Sequence, residues 1–173
     1  MGKIVLLLGE AHDCYLCGKS ELEIFNTLDS IKGVIWEALS EEVESLNKAK
    51  KVLQKSFYNS HKEFIKAVLR ELGKIYAIEN LPKYEEGGHC QRIAEKIEKI
   101  YRNLDDGDLM VIVGVNDIRP LEVLLYLHNI PFSSKLLHPL RGMKHKNEAI
   151  YEDERSVLIT KCIDKDLRAY LEC

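Results

Sequence analysis

Four continuous apolar runs, KIVLLL at 3–8, GVIWE at 33–37, KIYAIE at 74–79 and LMVIVG at 109–114, are separated by stretches whose apolar residues recur at helical spacing. A strand that is apolar at nearly every position has both faces covered, as in a parallel sheet with helices on each side. FSSKLL at 132–137 is a weaker fifth strand, and RSVLIT at 155–160 is suited to an antiparallel edge. The alternation predicts a three-layer α/β domain around a mostly parallel central sheet, with that antiparallel C-terminal edge. At 173 residues the chain is sized for one core, so 1–173 is read as a single α/β domain.

The crossovers carry their own signals. Ser20 and Glu23 have the spacing of a capping box, with Leu22, Phe25, Leu28 and Ile31 as the apolar stripe and Gly33 as the stop. Ser40 to Gly73 has room for two helices, one marked by Val43, Leu46 and Val52 or Leu53. The other is marked by Phe57, His61, Phe64 or Ile65, Val68 and Leu72. Ile93, Ile97, Ile100 and Leu104 mark a further helix. Pro120 opens one carrying Leu121, Leu124, Leu125 and His128, which Asn129 and Pro131 end. A last helix is expected at 164–171. Residues 139–154 read as a loop, with a lid over a ligand as the functional version.

Charge and composition exclude several classes. With 25 Lys and Arg against 28 Asp and Glu, the formal charge of -3 gives no broad cationic footprint, and nucleic-acid recognition is disfavoured. No apolar stretch approaches the roughly 18 residues of a membrane helix, and no signal peptide is evident at the start, so the expected location is cytoplasmic. Five cysteines, an odd number, argue against a secreted disulfide scaffold.

The chemistry is concentrated at strand ends. Glu10, His12 and Asp13 follow the first strand, Glu37 closes the second, Glu79 and Asn80 the third, and Asn116 and Asp117 follow the fourth. In a parallel sheet these positions share the carboxyl edge, where ligands bind at a change in strand order. Glu10, His12, Glu37 and Glu79 are therefore candidate catalytic groups and ligands for a divalent ion, Mn²⁺, Mg²⁺ or Zn²⁺. Carboxylates and imidazole suit such ions, and the ion lowers the pKa of water. Arg92, Asn116, Asp117, His138 and Arg141 are candidates for substrate contact. Cys14-x-x-Cys17 has ligand spacing and, with His89 and Cys90, makes an alternative zinc set; the same pair also admits thiol exchange.

The motifs IVLLLGEAHD, VIWEAL and Gly88-His89-Cys90-Gln91-Arg92 resemble those of the superfamily that includes TraB-like and TIKI proteins, ChaN haem-binding proteins and erythromycin-esterase-like proteins. Gly9, Glu10 and His12 fit its first glycine-histidine motif, Glu37 its glutamate motif and Arg92 its glycine-x-x-x-arginine motif. In VIVGVND, Asp117 stands where a second histidine would be expected. The TIKI-like branch implies metal-dependent peptide hydrolysis, the esterase-like branch hydrolysis without that metal requirement, and the ChaN-like branch haem or iron binding. The leading expectation is a metal-dependent hydrolase acting on a small molecule or peptide. The alternatives are a non-catalytic module for a metal, haem or small molecule, and a structural or interaction domain; homo-oligomerisation is compatible with each.

Overall fold

The computed structural model describes residues 2–11, 15–53, 60–78 and 88–137. Five strands, β1 (Val5–Glu10), β2 (Ile31–Trp36), β3 (Tyr76–Ala77), β4 (Asp108–Gly114) and β5 (Phe132–Leu136), form one sheet in the order β3-β2-β4-β1-β5. Every strand pairing in it is parallel. The connections carry α1 (Tyr15–Thr27), α2 (Leu46–Leu53), α3 (Lys62–Leu72), α4 (His89–Asn103) and α5 (Ile118–Leu127).

Side chains alternate across a strand, so each run of buried residues feeds two cores. Leu6 and Leu8 of β1, Val34 and Trp36 of β2, and Met110 and Ile112 of β4 pack against Cys17, Ile24 and Phe25 of α1 and Phe64, Ile65 and Val68 of α3. Val5, Leu7, Ile35, Leu109, Val111 and Val113 pack instead against Ile93 and Ile97 of α4 and Leu121 and Leu125 of α5. Helices thus cover both faces, and the expected three-layer α/β domain is what the chain forms. Full burial of each such aliphatic side chain contributes roughly 1.5–3 kcal/mol. Phe64 stands edge-on to both Phe25 and Trp36, at 6.2 and 6.4 Å between ring centres, a favoured aromatic arrangement.

Several local expectations are corrected. Ser20 is not a helix cap: α1 begins at Tyr15, and the Ser20 hydroxyl donates to the Leu16 carbonyl one turn back at 3.0 Å. Ile31 and Gly33 belong to β2, not to a helix end. A Cβ on Gly33 would come within 3.0 Å of Leu109 Cδ1, so the glycine serves close packing within the sheet. Val43 precedes α2 and forms an antiparallel bridge with Ile75, the residue before the two-residue β3, and Leu46 is 52% exposed. Asn129, at φ 54°, turns the chain out of α5 as anticipated. The strand at 155–160, the helix at 164–171 and the loop at 139–154 lie outside the described residues. Among the described residues no helix is long and apolar enough to cross a membrane.

One buried acid lies away from the strand ends. Glu122 of α5 accepts a short hydrogen bond from Ser134 Oγ of β5, yet burial holds its pKa above the ordinary 4.5. The folded chain therefore keeps this proton to higher pH than the unfolded chain, and stability falls as pH rises above 4.5. Glu122→Gln is expected to be more stable than the parent at neutral pH, the gap closing as pH drops below 4.5. Urea midpoints across that range check it, and a parent that gains stability between acid and neutral pH relative to the variant would contradict it.

Candidate metal centre

The strand order places the ends of β1 and β2 on either side of β4. Glu10 is the last residue of β1 and pairs with Gly114 of β4. Glu37 follows β2 directly; its N–H donates to the Ile112 carbonyl at 2.9 Å and its Oε2 accepts the Gly114 N–H at 2.7 Å. The two glutamates thus flank one strand end, but strand alternation sends their carboxylates into different groups.

Glu37 joins the α4–α5 side. Its Oε1 lies 2.9 Å from Nε2 of His89, the first residue of α4. That nitrogen is 3.8 Å from Oδ2 of Asp117, in the 3-10 turn Val115–Asp117 after β4. One ligand atom each from Glu37, His89 and Asp117 can be chosen so that all three lie within 4.8 Å of one another. The group opens to solvent through His89, whose side chain is 47% exposed against 14% for Glu37 and 21% for Asp117. Burial, then the Glu37 charge, raises the Asp117 pKa above its usual value, so the site already holds more negative charge than it solvates well.

Asp117 stands at the N-cap of α5, yet its side chain makes no cap hydrogen bond to that helix. Its Oδ1 instead accepts from Cys90 Sγ at 3.3 Å. Burial and Asp117 push the Cys90 thiol up to about 12, which keeps it protonated and a poor nucleophile near neutral pH.

Glu10 faces the α1–α3 core. Trp36 Nε1 donates to its Oε1 at 2.5 Å, and its Oε2 lies 3.5 Å from His61 Nε2. The other ring nitrogen of His61, Nδ1, is 2.9 Å from Glu21 Oε2. Glu10, Glu21 and His61 are buried to 1% exposure or less and offer a second group of ligand atoms within 4.8 Å. The close approach depends on Gly18 of α1, where a Cβ would fall 2.3 Å from the Ser60 carbonyl oxygen and 2.9 Å from His61 Nδ1.

Of the residues singled out in the sequence, Glu10 and Glu37 therefore sit in separate groups, and Asp117 joins Glu37. Arg92 lies in the first turn of α4, half-buried, and Asn116 is exposed in the turn beside Asp117. Cys17 is buried in the α1–α3 core while Cys90 packs against the opposite one, so the described thiols of the zinc set have the sheet between them. His12, Cys14, Glu79, His138 and Arg141 lie outside the described residues. Sequence reasoning passed over Glu21 and left His61 as one more position of an apolar stripe. The available signal was a polar residue on an apolar helix face: Glu21 falls in step with Cys17, Ile24 and Leu28, and His61 with Phe64, Ile65 and Val68.

No protein-family model matches the chain, and no curated protein does. The functional reading is carried by these side chains.

Proposed function

We propose that the protein is a metal-dependent hydrolase whose Glu37, His89 and Asp117 hold one divalent ion at the carboxyl ends of β2 and β4. The observation that carries this reading is the solvent-open grouping of one imidazole and two carboxylates within 4.8 Å. Three protein ligands with a position left for water or substrate is the pattern of catalytic rather than structural sites. A divalent ion there would offset the mutual repulsion of Glu37 and Asp117, lower the pKa of water and polarise a scissile bond. Glu37 is held in place by the Gly114 N–H, so its carboxylate presents a fixed oxygen to the ion. Exposed Asn116 and half-buried Arg92 are the nearby sequence candidates for orienting a small-molecule or peptide substrate. The TIKI-like branch of the resemblance, with aspartate at 117 in place of histidine, supports the same reaction class, since carboxylate is an acceptable ligand for Mn²⁺, Mg²⁺ or Zn²⁺.

The test is turnover of ester, phosphodiester and peptide substrates by protein stripped with chelator and reloaded with each ion. Activity toward at least one class is expected to vanish on stripping, return on reloading and fall in Asp117→Asn. Full activity in the stripped protein would remove the metal from the mechanism. Ion binding without turnover of any class would leave a binding module.

A further inference from the structure

We propose that Cys90 is a positioning residue of the open centre: its thiol engages one oxygen of Asp117, so that Asp117 meets the ion through the other oxygen alone and one coordination position stays open. This role rests on the hydrolase reading of Glu37, His89 and Asp117 and names what keeps that site accessible to water or substrate.

The two carboxylates of the centre are held in the same manner. Glu37 Oε2 accepts the Gly114 N–H at 2.7 Å, and its Oε1 lies 2.9 Å from His89 Nε2. Asp117 Oδ1 accepts the Cys90 S–H at 3.3 Å, and its Oδ2 lies 3.8 Å from the same nitrogen. In each residue one oxygen is engaged by a donor outside the ligand group while the other approaches the imidazole. An ion held there through Oε1, Nε2 and Oδ2 has three protein ligands, which leaves the fourth position of a tetrahedron to water or substrate. A carboxylate without a donor on its second oxygen can turn both oxygens to a metal, and a bidentate Asp117 would take up the position that water needs.

The sulfur itself stands outside the ligand set. Consecutive residues of a helix point about 100° apart, so His89 and Cys90, the first two residues of α4, reach Asp117 from different sides. His89 is exposed, whereas Cys90 is half-buried and packs against the α4–α5 core. The ligand atoms that lie within 4.8 Å of one another are those of Glu37, His89 and Asp117, without the Cys90 sulfur. A thiol is a weak donor, but its place under Asp117 fixes the rotation of the carboxylate. Outer-shell donors of this kind govern metal affinity or activity by about 10–100-fold.

The experiment loads the protein with Co²⁺, whose visible absorption reports its coordination, and then titrates it with azide, an anion that binds at an open position of such a centre. The part of the absorption that Glu37→Gln removes belongs to this site. Cys90→Ser keeps a donor beneath Asp117 and Cys90→Ala removes it; Cys90→Val, which fills the same space, replaces the alanine variant if that does not fold. Without the donor, azide affinity is expected to fall about 10–100-fold and the cobalt bands to weaken as coordination rises, while Cys90→Ser stays close to the parent. Parental azide affinity and absorption in Cys90→Ala overturn the proposal and leave the metal centre standing. A serine variant as impaired as the alanine one makes Cys90 a packing residue and also overturns it. A near-ultraviolet sulfur-to-cobalt charge-transfer band in the parent that Cys90→Ser removes makes the sulfur a ligand, with the same consequence. Cobalt absorption indifferent to Glu37→Gln removes the open centre itself, and the role of Cys90 with it.

Discussion

Gly18→Ala is expected to destabilise the protein by about 1–3 kcal/mol, although alanine is the better helix former. Within a helix the exchange alone favours alanine by about 1 kcal/mol. Here the new methyl would lie 2.3 Å from the Ser60 carbonyl oxygen, a backbone atom that cannot swing aside as a side chain can. Relief requires α1 to move away from the segment that leads into α3, and that movement stretches the 2.9 Å contact between Glu21 and His61. Urea unfolding measures the loss, and near-ultraviolet dichroism of Trp36 should change with it. A variant as stable as the parent would mean that the two helices do not meet at Gly18.

Glu37→Gln is expected to move two properties in opposite directions. The amide keeps the size of the side chain and an oxygen to accept the Gly114 N–H, so the local backbone has no reason to shift. Loss of the charge removes one anionic ligand. Disturbing an outer-shell partner of a metal ligand already costs about 10–100-fold in affinity, so removing the ligand's charge should cost about 100-fold or more. Metal-free stability should hold or rise, because the Glu37 charge is one of the causes that raise the Asp117 pKa. Calorimetric titration with Mn²⁺ and thermal unfolding under chelator read the two effects separately. A variant that lost stability without losing affinity would make Glu37 a structural residue.

The pattern of strands and helices was legible because it is written locally. A strand covered on both faces must be apolar at both parities, and β1, with all six residues buried, and β4 show that directly. The stripe of α4 was equally plain, since Ile93, Ile97 and Ile100 all reach the core. The misreadings were also local. Ser20 and Glu23 have the spacing of a cap, but a serine inside a helix satisfies its hydroxyl on the preceding turn as readily as it caps. Strand order is a property of the whole chain, and without it the ends of β1, β4 and β2 could not be known as neighbours.

The same limit governs the site. Glu10 and Glu37 were visible as acids that end apolar runs, but their assignment to opposite faces depends on where each strand ends relative to the pleat. His61 and Glu21 are forty residues apart in sequence and meet only because α1 and α3 pack together at Gly18. His89 was named as a ligand of the alternative zinc set with Cys14, Cys17 and Cys90, and its Nε2 lies instead between Glu37 and Asp117.

The most direct test of the open centre is a crystal grown with Mn²⁺ and measured for anomalous scattering. The account predicts a peak about 2.0–2.2 Å from oxygens of Glu37 and Asp117 and from a ring nitrogen of His89. Crystals whose Mn²⁺ peaks all lie away from these three side chains would contradict it.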